Sequence, residues 1–91
     1  MLMKAIMTVT GLDHTGIIAA VSSALAAQKV NITNVSQTLM DEYFTMIMQL
    51  DFDDSVMSLK DVQDAMAKVE AAQKLVIKVQ AQAIFDAMHS L

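Results

Sequence analysis

The sequence predicts an α+β fold: a ferredoxin-like βαββαβ sandwich with a four-stranded antiparallel sheet, two helices on one face and a short C-terminal helix. Three observations predict it. Segments of period two alternate along the chain with segments of helical period. Only Asp41 and Glu42 separate the second strand from the third, which fits a hairpin. Right-handed crossovers then place both helices on the same face of the sheet.

The first strand and the first helix are predicted from their periodicity. Apolar and polar side chains alternate over residues 3–10, MKAIMTVT, and Gly11 ends this strand. Apolar residues then recur at helical spacing over 15–28, which is typical of an amphipathic helix. Asp13 stands just before that helix and is expected to cap it.

The second and third strands form the predicted hairpin. Residues 31–40, NITNVSQTLM, are rich in β-branched side chains, and residues 43–52 alternate more regularly than any other segment. Asp41 and Glu42 resemble a catalytic carboxylate pair. Adjacent residues at a hairpin tip point apart and face water, so we interpret them as turn residues.

A capping box predicts where the second helix begins. Ser58 and Asp61 have the spacing at which each side chain satisfies a free backbone N–H of the other. The helix extends from residue 59 to about 72, and the last strand covers 75–81. We expect one domain over 1–91, in which 83–90 form a C-terminal helical tail.

Composition excludes several function classes. The formal charge is −4, arginine is absent and the lysines form no stripe, which argues against nucleic-acid binding. Cysteine is absent, so neither a disulfide nor a Cys-based zinc site is available. The methionines fall mainly on predicted core faces. No secretory signal or membrane span is recognisable, so we expect a cytoplasmic protein without membrane contact.

Catalysis is the weakest function class for this chain. His14 and His89 are the only histidines, and no set of nucleophile, base and orienting group is recognisable. We therefore expect no enzyme activity, no cofactor and no metal. His14 is more typical of a solvated or locally hydrogen-bonded side chain than of a metal ligand, although its titration could make binding pH-dependent.

Both glycines of the chain, Gly11 and Gly16, bracket the loop between the first strand and the first helix. Glycine at such a position allows positive φ, or lets a ligand or a second backbone segment approach closely. The free N–H groups of the first helical turn form a weak anion site that suits a carboxylate. The alternative is a tight strand-to-helix turn that binds nothing.

The same loop carries a resemblance to a known family. Residues 11–17, GLDHTGI, together with the later Val30-Asn31-Ile32, resemble the start of an ACT domain. Residues 41–46, DEYFTM, and 83–88, AIFDAM, are similar to a narrower branch of small stand-alone ACT proteins. That branch is related to the repeats of the glycine-cleavage-system regulator and to the front domain of formyltetrahydrofolate deformylase. The resemblance covers essentially the whole chain.

The resemblance implies a non-catalytic, homodimeric sensor of an amino acid or similar small carboxylate. Effectors in this family bind at a subunit interface, between the first strand–helix loop of one subunit and the start of the second strand of its neighbour. The alternative is a protein-interaction module without a small-molecule ligand. The positions that match the family's site are Gly11, Leu12, Asp13, His14, Gly16 and Ile17 on the loop side, and Asn31 and Ile32 on the strand side.

The sheet face opposite the helices is expected to show an apolar patch of Ile6, Ile47 and Val76. Antiparallel sheets can leave one face in water, so these residues could be scattered exposed aliphatics. The C-terminal tail, with the apolar Ile84 and Phe85, could instead cover this face in its own subunit or in a second one.

Overall fold

The hydrogen-bonding pattern of the sheet confirms the predicted βαββαβ order. A computed structural model describes residues 2–84. Its four strands form one antiparallel sheet in the order β2-β3-β1-β4. The elements are β1 (Leu2–Leu12), α1 (Ile17–Ala27), β2 (Asn31–Met40), β3 (Tyr43–Asp53), α2 (Leu59–Gln73) and β4 (Val76–Ala81). Residues 82–84 are helical, and the rest of the predicted tail lies outside the described residues.

The core lies between the two helices and one face of the sheet. Alternate residues of β1 and β3 point into it, together with one apolar stripe from each helix, as the two periodicities predict. The methionines expected in the core are all at most 2% exposed: Met7, Met46, Met48 and Met66. Methionine's flexible thioether fills such irregular interiors well.

Two boundaries at the first strand–helix junction differ from the prediction. β1 continues through Gly11 because its ladder with β3 extends to the pair Leu12 and Tyr43. α1 begins later than predicted, at Ile17. Gly16 is its N-cap residue, and no side chain caps the helix. The prediction that Asp13 caps α1 is therefore wrong, because Asp13 lies too far before the N-cap position.

The capping box of α2 is confirmed. The Asp61 N–H donates to Ser58 Oγ at 3.2 Å, and the Ser58 N–H donates to Asp61 Oδ2 at 3.0 Å. Both bonds satisfy backbone donors that a helix N-terminus leaves free. α2 ends at Gln73, and its C-cap residue Lys74, with a φ of 56°, lies in the left-handed region and turns the chain into β4.

The sheet face opposite the helices is less apolar at its surface than predicted. Ile47 and Val76 are 42% and 53% exposed, as expected of a patch in water. Ile6 lies outside the helix-side core cluster, as predicted, but it is only 7% exposed and adds little to the surface of the patch. It lies on the central strand β1, where the register sets Gln49 and Gln80 on either side of it.

Asp53, the last residue of β3, is held in its ionised form by the turn that follows. The Ser55 hydroxyl donates to Asp53 Oδ1 at 2.6 Å and the Ser55 N–H donates to the same oxygen at 3.0 Å. These hydrogen bonds lower the pKa of Asp53 from 3.8 to about 2.

The depressed pKa of Asp53 predicts a specific pH dependence. Because the folded-state pKa is below the unfolded value, Asp53 contributes stability above about pH 4 and loses it as the pH falls towards 2. We expect Ser55→Ala to move the pKa of Asp53 back up towards 3.8. A carboxyl carbon NMR titration of both proteins measures this directly. An unchanged Asp53 pKa in the variant would contradict the assignment.

Candidate functional site

The β1–α1 loop lies at the same end of the sheet as the β2–β3 turn and the α2–β4 junction. The Asp13 N–H donates to the Glu42 carbonyl at 2.8 Å, which ties the loop to the hairpin turn. On the other side, His14 Nε2 lies 3.1 Å from the carbonyl oxygen of Gln73, the last residue of α2. The loop is therefore held from both sides.

The two glycines are required for different physical reasons. Gly16 has φ 93°, and a Cβ built there would meet nothing within 4 Å, so backbone conformation is the constraint. A Cβ on Gly11 would lie 2.8 Å from Leu75 Cδ2 and 3.5 Å from the Lys74 carbonyl oxygen. Gly11 therefore lets the α2–β4 junction pack against β1, and the Leu75 side chain, not a ligand, makes the closest approach.

The predicted loop residues are open to solvent except for the half-buried Gly11 and the buried Ile17. Leu12 is 53% exposed, and Asp13, His14 and Gly16 are exposed as well. Ile17 is only 2% exposed because its side chain packs in the core. Ile17 can therefore contribute only backbone to a ligand site. No side chain among residues 2–84 caps α1, so the N–H groups of its first turn lack a side-chain acceptor.

The strand half of the predicted site lies at the opposite end of the sheet. Asn31 pairs with Asp51 of β3, whereas Leu12, at the loop, pairs with Tyr43 at the other end of β3. At about 3.4 Å per residue, Tyr43 and Asp51 are roughly 27 Å apart. Asn31 is exposed, and Ile32 is partly buried against the core. One chain alone does not bring the two halves together.

A cleft of about 290 Å³ separates the loop from the end of α2. The sequence predicted the contribution of the loop to this region but missed that of the helix end. The predicted topology could have indicated the helix end, because β1 and α2 both end at this end of the sheet. Lys74 adds an exposed ammonium group beside the loop, in a chain that has no arginine. The cleft is lined by Leu12, His14, Ala72, Gln73 and Lys74.

The His14 contact predicts a small effect on stability. Replacing His14 by alanine removes the hydrogen bond to the Gln73 carbonyl, but both groups are exposed and water can replace the lost partner. We expect the free energy of unfolding to fall by about 1 kcal/mol or less. Urea denaturation of the two proteins measures it. A loss above about 3 kcal/mol would show that His14 has a larger structural role than this exposed bond.

Two further features bear on the kind of site. In residues 2–84, no group of three or more His, Asp or Glu side chains is close enough to hold a metal ion. No helix in that part of the chain is long and apolar enough to cross a membrane.

The four-stranded sheet with its two helices and open strand–helix loop is a ferredoxin-like α+β domain, and comparison with known proteins identifies its family. The ACT domain family model matches residues 4–81, so the chain belongs to the ACT domain family. The UPF0237 protein of Corynebacterium diphtheriae is 60% identical over 87 residues, which cover 96% of this chain and 98% of that protein. This confirms the resemblance to small stand-alone ACT proteins.

Solved structures agree with this assignment. An ACT domain protein from Streptococcus pneumoniae superimposes with a TM-score of 0.79 at 38% identity, covering 96% of this chain and 98% of that one. A formyltetrahydrofolate deformylase from Burkholderia mallei matches with a TM-score of 0.76 at 11% identity, over 87% of this chain and 28% of that one. The second match shows a shared fold.

Proposed function

We propose that this chain is a non-catalytic, cytoplasmic regulatory protein that forms a homodimer and binds an amino acid or similar small carboxylate between its two subunits. The binding crevice would lie between the β1–α1 loop of one copy and Asn31 of the other. Membership of the ACT family supports a regulatory, ligand-binding role. The observation that carries the proposal is the exposed edge strand β2, which would bring the two halves of the predicted site together if a second copy paired with it.

The geometry of β2 supports a shared crevice. β2 is the outermost strand on its side of the sheet, and nearly all of its residues are exposed. If two copies meet with their β2 strands antiparallel, Asn31 of one copy falls beside Met40 of the other. Met40 leads into the turn whose Glu42 carbonyl binds the Asp13 N–H. The loop of one copy and Asn31 of the other would therefore meet at each end of the joined strands.

The chemistry of the two halves suits a zwitterion. The uncapped N–H groups at the start of α1, with the positive end of the helix dipole, favour a carboxylate. The amide of Asn31 offers both a donor and an acceptor, so it can bind the ammonium group or either carboxylate oxygen.

The proposal is tested by a thermal-shift screen against amino acids and small carboxylates. We expect one class of compound to raise the melting temperature of the wild-type dimer, and Asn31→Ala to weaken its binding about tenfold or more through loss of a hydrogen bond to a charged group. Asn34→Ala, a change of the same residue type elsewhere on β2, should bind as wild type. Isothermal titration calorimetry gives the affinities.

Lys74→Ala separates the shared crevice from the cleft within one chain. Lys74 lines that cleft on the α2 side of the loop, away from β2. A shared crevice predicts that Lys74→Ala binds normally while Asn31→Ala does not. The reverse pattern would place the ligand in the cleft and contradict the proposed site.

A second candidate function is protein interaction without a small ligand. It is favoured by exposed apolar side chains on the helix side of β2 and on α1: Ile18, Val35 and Leu39 are 48%, 46% and 57% exposed. An intact dimer that no compound in the screen stabilises would favour this function over the sensor.

A further inference from the structure

The two edges of the sheet are treated differently by the rest of the chain. At the β4 edge, the Gln63 side-chain amide donates to the Val79 carbonyl at 2.8 Å. The Ile77 N–H donates to Glu70 Oε2 at 2.7 Å. Both side chains come from α2, which packs against β4. α2 therefore binds backbone groups that an edge strand normally leaves free.

These backbone groups are the ones that an added strand would need. In an antiparallel ladder, the N–H and C=O of one residue point to the same side, and successive residues alternate between sides. Because Ile77 and Val79 bond to α2, their outward groups face away from β1. Leu75, two residues earlier, continues the pattern, since its N–H donates to the Glu70 carbonyl at 3.0 Å.

Among residues 2–84, we find no such protection at the β2 edge. β2 is 10 residues long, and no charged residue or proline occurs in it. Charges and prolines are the usual means by which proteins prevent edge strands from pairing. Its one irregularity is a register shift between Ile32 and Asn34 near its start. The Thr33 hydroxyl of β2 donates inward, to the Gln49 carbonyl of β3 at 3.4 Å.

We propose that Gln63 and Glu70 close the β4 edge to strand addition, so that a second copy can extend the sheet only at β2 and assembly stops at two chains. This inference rests on the β2-mediated dimer of the proposed function. It adds the reason that this dimer does not bind further chains through its outer β4 strands. A chain with two open edges could add copies at both ends, because pairing at one edge leaves the other available.

The test removes the two side chains that close the edge. The double variant Gln63→Ala, Glu70→Ala frees the Val79 carbonyl and the Ile77 N–H. The control is Lys60→Ala, Asp64→Ala, which removes an exposed ion pair of 3.3 Å from the same helix. Sedimentation velocity over a range of concentrations measures the mass distribution. We expect the control to stay dimeric and the edge variant to reach roughly twice the dimer mass or more.

Two further variants keep the test decisive. Glu70→Gln retains an oxygen that can accept the Ile77 N–H and should stay dimeric with Gln63 intact. Should the double variant fail to fold by circular dichroism, Gln63→Ala alone still frees the Val79 carbonyl and should form detectable higher species. A dimer that remains a dimer in every folded edge variant overturns the inference.

Failure of the inference is distinguishable from failure of the proposed function. The single variant Val35→Lys, with Gln63 and Glu70 unchanged, places a charge on β2 where the side chain is already 46% exposed. Because a charge on an edge strand opposes pairing, this variant should be monomeric. A Val35→Lys protein that is still dimeric would overturn the β2 dimer itself and, with it, the inference. If Val35→Lys is monomeric but the edge variants do not grow, only the closing role of Gln63 and Glu70 fails.

Discussion

Replacing Phe44 by alanine is expected to lower the free energy of unfolding by about 3–5 kcal/mol. Phe44 is 1% exposed and belongs to the central core cluster. Its register neighbours are Gly11 on β1 and Leu39 on β2, so it joins the hairpin to the strand that leads into the loop. Glycine offers no side chain to fill the space, and a cavity should remain.

The adjacent residue provides a matched control. Tyr43 is 59% exposed, so Tyr43→Ala removes an aromatic ring without opening the core, and we expect a change within about 0.5 kcal/mol. Urea denaturation of both variants measures the difference. Equal losses for the two variants would contradict the assignment of Phe44 to the core and Tyr43 to the surface.

Replacing Gly11 by valine is expected to cost about 1–3 kcal/mol through overpacking. The new side chain would overlap Leu75, whose Cδ2 lies 2.8 Å from the Cβ position. Leu75 is 5% exposed, so it has little room to move. The effect should therefore depend strongly on the size of residue 75.

A double-mutant cycle with Leu75→Ala tests this cause. Leu75→Ala alone should destabilise by about 2–5 kcal/mol, but the double variant should be more stable than the sum of the two losses predicts, because valine fills the vacated space. Gly16→Ala is the contrasting case. Its cost of about 1–2 kcal/mol arises from the positive φ of Gly16 and should be independent of Leu75. Strict additivity for Gly11 and Leu75 would contradict the close-approach explanation.

Local sequence patterns were sufficient to predict the architecture, because the periodicity, the turn residues and the capping box all indicated the same order of strands and helices. The alternation in residues 43–52 became a strand with its apolar side in the core, and the Ser58–Asp61 capping box became the start of α2. Asp13 failed as a helix cap because sequence alone does not give the φ of Gly16, which sets where the helix begins. The face of Ile6 was predicted correctly but its burial was not, because a period of two gives the face of a side chain and not what flanks it on a central strand.

The site was predictable in part. The exposed loop followed from two glycines and a family motif, but its attachments to Glu42 and Gln73 depend on long-range topology. Lys74 precedes the predicted last strand, and only the folded chain brings it beside the loop. The difference between β2 and β4 as sheet edges could not be predicted from the sequence either, because it depends on which backbone groups the side chains of α2 contact.

The central claim is that the ligand site is shared between two copies of the chain, and mixed dimers test it most directly. Leu12→Asp places a carboxylate beside the loop at an exposed position and should abolish carboxylate binding by repulsion, while Asn31→Ala removes the other half of the site. Neither homodimer should bind the ligand with wild-type affinity. A mixed dimer should regain one intact site, built from the loop of the Asn31→Ala chain and Asn31 of the Leu12→Asp chain.

The measurement is ligand stoichiometry by calorimetry on a tagged mixed dimer, purified through both tags. A shared crevice predicts binding near wild-type affinity with one ligand for each mixed dimer. A mixed dimer that binds no more ligand than its parent homodimers would mean that each site lies within a single chain, and the shared-crevice account would be wrong.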